Sequence, residues 1–303
     1  MARNPGLNMA YTDGMRHELR SFGRTTGAVY FVDSGHASAS DNHAGTDPVR
    51  PLATIDAAVG KCTASQGDLI RVMPGHAETV SAAAGLALDV AGITIIGHGD
   101  GALQPTVTLD TATTADVDVD AANITVENIN FVANFADIAV ILDVNATDFT
   151  VRNSRFTAAA VDMNAKVVIQ DAAAAASSRI TVENCYHLDR DAANTHFINM
   201  AGTGDGHVVR NNILMGDYGT IAVGGAGIVT NCLITGNLIN NAANTVDSCI
   251  NLAATATGCV VGNMCAGAAA QANGVTATAC LIAENYYGVL AEDLSAILDP
   301  IAT

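Results

Sequence analysis

An all-β solenoid is what this sequence predicts, and three observations predict it. A short motif returns along the chain: ITVEN at Ile124–Asn128, FTVRN at Phe149–Asn153, ITVEN at Ile180–Asn184 and HVVRN at His207–Asn211. Looser copies, LITGN, CVVGN and LIAEN, end at Asn237, Asn263 and Asn285, and ITIIG at Ile93–Gly97 is an earlier copy with Gly in the last place. From Gly97 through these asparagines the spacings are 31, 25, 31, 27, 26, 26 and 22 residues, the length of one supersecondary unit per repeat. The second observation is another apolar run before each copy: LALDV, DVDVD, VILDV, VVIQD, FINMA, IAVGG and CINLA. The third is that small residues such as AAN (121–123), AAAASS (173–178) and ATAT (254–257) join the two runs. Two β-branched runs per repeat with such joints leave no room for a helix. Leucine-rich and α-helical repeats are thereby excluded, and a parallel β-helix remains.

Within the motif, positions one and three are expected to point inward and positions two and four outward. Val126, Val151, Val182 and Val209 would then stack in one interior row. Position four reads Glu127, Arg152, Glu183, Arg210, so opposite charges alternate on an outer face whose strands lie about 4.8 Å apart. The Asn that follows suits a corner with left-handed backbone, and its amide can bond to the Asn above and below.

The organisation falls into four segments. Residues 1–28 carry Arg3, Arg16, Arg20 and Arg24 against Asp13 and Glu18, a net of +2, which leaves −19 for the rest of a chain of net −17. With Leu7, Met9, Tyr11, Met15, Leu19 and Phe22, they read as an extended arm that orders on a partner. Residues 29–67 hold an opening strand, YFVD (30–33), a Ser/Gly/Asp/Asn loop and a helix over Thr54–Lys61 with Thr54 as N-cap, and 51–62 read as a lid over the solenoid's open end. Residues 68–287 form the β-helix, of about eight to nine turns and roughly 40 Å in length. Residues 288–303 close the far end, with a helical turn expected at Glu292–Leu298.

Composition narrows the function. Net charge disfavours nucleic acid and anionic membrane as partners. No run approaches a membrane span, and the opening MARNPGLNMAYTDGMRHEL lacks an apolar signal core, so synthesis in a cytoplasm is expected. The seven cysteines (62, 185, 232, 249, 259, 265, 280) have no CxxC spacing and are expected as buried free thiols.

The order YFVD, Gly/Asp loop, PLATIDAAV, GDLIRVMPG, then ITIIG resembles the leading segment of right-handed parallel β-helix proteins of the pectin-lyase-like superfamily, in particular the bacteriophage structural type. The likeness covers residues 29–110 by motif and 111–287 by repeat style. It implies a single-stranded right-handed parallel β-helix. It leaves chemistry open, because the superfamily holds lyases, hydrolases, tailspikes and inert virion proteins.

Several side chains are of types that could carry chemistry. Asp89, Asp120, Asp143 and Asp171 each follow an apolar residue and are expected in one row, solvated or sharing a cation. Asp116, Asp118 and Asp120 alternate with Val as an outer face. His76 and Glu78 offer an acid–base pair at a turn; His207 falls in an inward row as a core histidine; His187 and His196 lack visible partners. GGAG (224–227) only superficially resembles a phosphate loop. Lysines are confined to Lys61 and Lys166, and Trp is absent, which removes both the usual lyase base and the usual sugar-stacking ring. No residue is assigned to catalysis, cofactor or metal. The expectation is a non-enzymatic virion component, a head decoration or fibre, held through residues 1–28 to other capsid or tail proteins and self-associated, a trimer being favoured. The rival reading is a tailspike-type glycan depolymerase or an adhesion module for a host-surface glycan.

Overall fold

The computed structural model describes residues 25–171, 177–189, 191–242, 248–267, 274–289 and 299–300. Three sheets run the length of the rod. Sheet 1 has ten parallel strands, from Val29–Val32 and Leu69–Val72 to Cys280–Ala283. Sheet 2 has nine parallel strands from Ala77–Val80 to Tyr286–Val289 and a tenth, Asp299–Pro300, antiparallel to the last of them. Sheet 3 has eight, from Leu86–Leu88 to Val275–Thr276. The chain visits them in the order 1, 2, 3, and the nine sheet 1 strands after the first mark out about eight complete circuits.

Three strands per circuit, not two, is the principal difference from the sequence reading. The run after each Asn, such as Asn130–Ala133 or Arg155–Ala158, is a strand of its own. A corner of only two residues separates it from sheet 1, too short to register as a break in the apolar pattern.

The register of sheet 1 follows the expectation. Val126, Val151, Val182 and Val209 are direct neighbours on successive circuits and are 3%, 0%, 0% and 0% exposed. Ile93, Ile124, Phe149, Ile180 and His207, the first motif position, are likewise buried. Outside, the alternating charges resolve into two ion pairs, Glu127–Arg152 at 2.8 Å and Glu183–Arg210 at 2.5 Å.

The asparagines behave differently from expectation after Asn211. Asn128, Asn153, Asn184 and Asn211 have φ of 53–57°, and the column continues through Gly236, Gly262 and Glu284, also left-handed. Asn237, Asn263 and Asn285 belong to the next column, with Asn212. There the side chains point inward and are at most 1% exposed. Each amide Nδ2 donates to the Oδ1 of the Asn on the following circuit, at 2.9 Å from Asn212, 2.9 Å from Asn237 and 2.8 Å from Asn263. The motifs VRNN, TGN, VGN and AEN slip by one residue when aligned on their last Asn, because a left-handed corner accepts Asn, Gly or, at 284, Glu.

At the N-terminal end the lid is present. Helix α1 (Ile55–Val59) is capped by the Thr54 hydroxyl, which accepts from Ala57 N–H at 3.2 Å. Ile55, Ala58 and Val59 are buried against the core, and Asp56 Oδ1 accepts from Ala87 N–H on the first strand of sheet 3. The helix therefore covers apolar side chains and satisfies a sheet-edge donor together. Residues 25–28 are tied to the first circuit: Thr26 Oγ1 donates to Gln66 O at 2.8 Å, and Asp68 accepts from Ala28 N–H at 2.6 Å. The arm over 1–24 and the helical turn expected at Glu292–Leu298 lie outside the described residues.

Candidate functional site

The acidic residues separate into three environments. Sheet 3 registers Ala87 with Asp118, Asp118 with Asp143 and Asp143 with Gln170, an outward column. Asp89 and Asp120 follow the paired Leu88 and Val119 and lie one position further on, exposed; Asn145 donates to Asp120 Oδ1 at 3.0 Å. Asp171 pairs with Val144 and Met200 and points inward, fully buried. The single row expected through Asp89, Asp120, Asp143 and Asp171 is thus not formed. Placing each Asp after an apolar residue is an unsafe guide where three-residue strands adjoin seven-residue ones, Val117–Val119 beside Ile138–Val144 and Ala165–Asp171.

Asp116, Asp118 and Asp143 form a half-buried acidic patch on that outer face. Burial is the main force raising the Asp118 carboxyl to about 6, with Asp116 and Asp120 adding repulsion. Burial and then Asp118 and Asp120 also push Asp143 upward, while Asn145 opposes. Asp116 rises by burial and through Asp143, offset by the Ala84 N–H it accepts at 2.6 Å. Such a patch can hold one carboxyl protonated close to neutrality, beside others that are ionised. Among the described residues no group of three or more His, Cys, Asp or Glu is arranged to hold a metal ion.

The buried Asp171 belongs to a different cluster. Its carboxylate accepts from the Ser177 hydroxyl and lies 3.2 Å from His207 Nε2, with all three side chains at zero exposure. The carboxylate stands between Ser and His, so the hydroxyl does not face the imidazole, and the order needed for a nucleophile and its base is absent. The cluster instead holds a histidine by its Nε2 alone, with Nδ1 buried and unpaired, where Ile124, Phe149 and Ile180 fill the same column on earlier circuits. His207 is a core histidine, as the sequence suggests; its carboxylate partner, 36 residues away, was not legible.

His76 and Glu78 do meet, at 3.3 Å, with His76 buried. His76 Nδ1 accepts from Ser34 N–H at 3.0 Å, and Glu78 Oε2 accepts from Ile55 N–H, the first amide of α1, at 2.9 Å. The pair therefore clamps the opening loop and the lid to the first circuit. His187 has a partner that its spacing does not reveal: Nδ1 lies 2.5 Å from Tyr218 Oη in the interior, with the Phe197 ring 5.5 Å away and Phe156 edge-on to Phe197. Burial lowers its pKa to about 3, and that of His196 to about 4. GGAG is a packing feature: a Cβ on Gly224, at φ 140°, would lie 1.8 Å from Asn251 O on the next circuit. All seven cysteines are free, and burial raises the Cys62, Cys185 and Cys232 thiols to about 12, far from a reactive thiolate.

No protein-family model matches the chain, and no curated protein matches it. Among solved structures it is similar to pectate lyase Pel9A, at 13% identity and a TM-score of 0.46, over 88% of this chain and 79% of that one. A GH136 lacto-N-biosidase from Eubacterium ramulus aligns at 13% identity and a TM-score of 0.29, over 91% and 70%. These are likenesses of the β-helix architecture and carry no assignment of chemistry.

Proposed function

We propose that the chain is a non-enzymatic structural protein of a bacteriophage particle, a rigid acidic rod fixed to head or tail proteins through its N-terminal arm. The observation that supports this reading is the use to which its histidine–carboxylate pairs are put. His76–Glu78 clamps the lid, and His207–Asp171 fills the core at zero exposure. His76 is 1% exposed and Asp171 and His207 are at zero exposure, so the imidazoles of both pairs are withdrawn from solvent. The likeness of 29–110 to phage β-helix proteins and the basic, apolar composition of residues 1–24 point the same way.

The test is assembly. A chain lacking residues 1–24 should keep its β-rich circular dichroism spectrum and be lost from purified particles, whereas the full chain co-sediments. Retention of the truncated rod on particles would overturn the anchoring role.

One observation favours a second reading, action on a glycan. Asp118 and Asp143 are adjacent on one outer face, and Asp118 titrates at about 6, as a general acid would. Under the structural reading, purified protein releases no reducing ends or unsaturated products from acidic or neutral polysaccharides, with or without Ca²⁺. Turnover abolished by Asp118→Asn would establish the second reading instead.

A further inference from the structure

The outer columns of sheets 1 and 2 change character halfway along the rod. In sheet 1, Thr94, Thr125, Thr150 and Thr181 occupy one outward column and are continued by Val208, Leu233, Cys259 and Leu281. In sheet 2, Thr106, Asn130 and Arg155 lead through Tyr186 to Ile213, Leu238, Met264 and Tyr286. The last four are 42%, 39%, 45% and 40% exposed, and Leu281 is 62% exposed. The polar residues on earlier circuits occupy the same backbone positions, so the fold itself does not require the apolar ones. From Tyr186 onward the two outward columns of sheet 2 contain no Asp, Glu, Lys or Arg. Parallel sheets are normally covered on both faces, and large exposed apolar patches mark contact surfaces.

We infer that copies of this chain associate side by side in the C-terminal half, the outer face of sheet 1 in one copy packing on the outer face of sheet 2 in the next. This rests on the structural role proposed above, since a bundle of rods is what would bring several arms to one attachment point. Two features select a second copy as the occupant. A chain of net charge −17 repels its own kind except through surface of little charge, and from Val208 onward Arg210, paired with Glu183, is the one charged side chain in the outward columns of sheets 1 and 2. The projecting side chains recur once per circuit, about every 4.8 Å, and another copy of the same solenoid matches that period along its whole length. Five circuits by a four-residue strand is roughly 24 by 13 Å, about 300 Å² in plan. One such face is short of the ~800 Å² per partner of a standard interface. Pairing sheet 1 with sheet 2 uses both faces of every copy and so favours a closed ring over a twofold dimer.

The test is the mass of the full chain in solution, by light scattering or sedimentation over a range of concentrations. The native protein is expected at a multiple of its 30.8 kDa chain mass, with Leu238→Glu and, separately, Leu281→Lys reduced to a single chain at unchanged β-signal. Should Leu238→Glu lose the β-signal, Leu281→Lys alone decides. A monomer at all concentrations, or an oligomer indifferent to both substitutions, overturns the inference. In a second measurement, oxidising a Leu238→Cys chain should cross-link it to Cys259 of a neighbouring copy in sheet 1; cross-links only between the two substituted positions would mean a twofold contact and overturn the sheet 1 to sheet 2 pairing. Because mass is read on free protein and anchoring on particles, the two ideas fail separately.

Discussion

Adjacent asparagines, Asn211 and Asn212, permit a sharp test of how the rod is held together. Asn212 is 1% exposed, and its Oδ1 accepts from Cys185 N–H at 2.9 Å on the preceding circuit. Its Nδ2 donates to Val182 O at 3.0 Å and to Asn237 Oδ1 at 2.9 Å. Asn212→Ala would strand the buried Cys185 N–H and remove the links to Val182 O and Asn237. A stranded backbone group costs about 1–3 kcal/mol and a lost hydrogen bond about 1, so a loss of about 2–4 kcal/mol is expected. Asn211 is exposed with φ 56°, a conformation glycine adopts freely, and Asn211→Gly should change stability by less than about 1 kcal/mol. Denaturant unfolding gives the global difference. Hydrogen exchange gives a local one, because the Cys185 amide should lose protection in Asn212→Ala and keep it in Asn211→Gly. If the two variants unfold alike, or Asn212→Ala loses less than about 1 kcal/mol, the interior ladder is not a main support of the rod.

The remaining expectations concern charge and burial. Val151→Asp places a carboxylate at a position of zero exposure and should remove the β-signal of several circuits; a variant that melts like the parent would invert the inward assignment. Arg152→Glu breaks the 2.8 Å pair with Glu127 at a side chain 39% exposed and should destabilise by no more than about 1–2 kcal/mol, measured by the same unfolding curve. His187 has a folded pKa of about 3 against an ordinary 6.5, so the unfolded chain takes up the proton first. Stability present above about pH 6.5 is therefore lost as pH falls toward 3, and by pH 5 this group alone accounts for about 2 kcal/mol; side-chain NMR should find His187 still neutral at pH 5. Asp118 has the opposite sign: raised to about 6 from 3.8, its ionisation destabilises the fold above about pH 4. Asp118→Asn should thus raise the melting temperature at pH 7 and leave it unchanged near pH 4.

What was legible in the sequence was what repeats with period two. The inner Val row, the charged outer row and the Thr54 cap all follow from local alternation and local chemistry, and each is present in the structure. What was not legible lay at corners. The corner between sheets 1 and 2 is two residues long, so the strand after it merges with the motif in the sequence pattern, and sheet 2 is hidden there. The same brevity hid the change of column between Asn211 and Asn237, because a left-handed position and the inward position after it both accept Asn, for different reasons. The acidic residues were mis-stacked for a related cause: strands of three and seven residues share a register that no fixed offset from an apolar neighbour reproduces. His207–Asp171 and His187–Tyr218 are pairs across circuits, 36 and 31 residues apart, and only the circuit lengths, which vary, could have brought them together on paper.

This division bears on how such a chain carries function. Because the interior columns are apolar or internally hydrogen-bonded, as in the Asn212–Asn285 ladder and the Asp171–His207 pair, the core specifies the solenoid and nothing about its partners. The outer columns are free of that constraint, since a side chain on an outer face meets solvent or a neighbouring molecule. Along them the chain passes from threonine and alternating Glu/Arg, through an acidic patch on sheet 3 in the first circuits, to an uncharged apolar surface in the last. A rod needed only for rigidity would have no use for such a gradient, and its outer rows could remain threonine throughout. The side-by-side association inferred above would use such a gradient, with charge along one stretch and an apolar face along another. The place to look for what this protein does is therefore its outer columns, circuit by circuit, and not the histidines and carboxylates buried in its core.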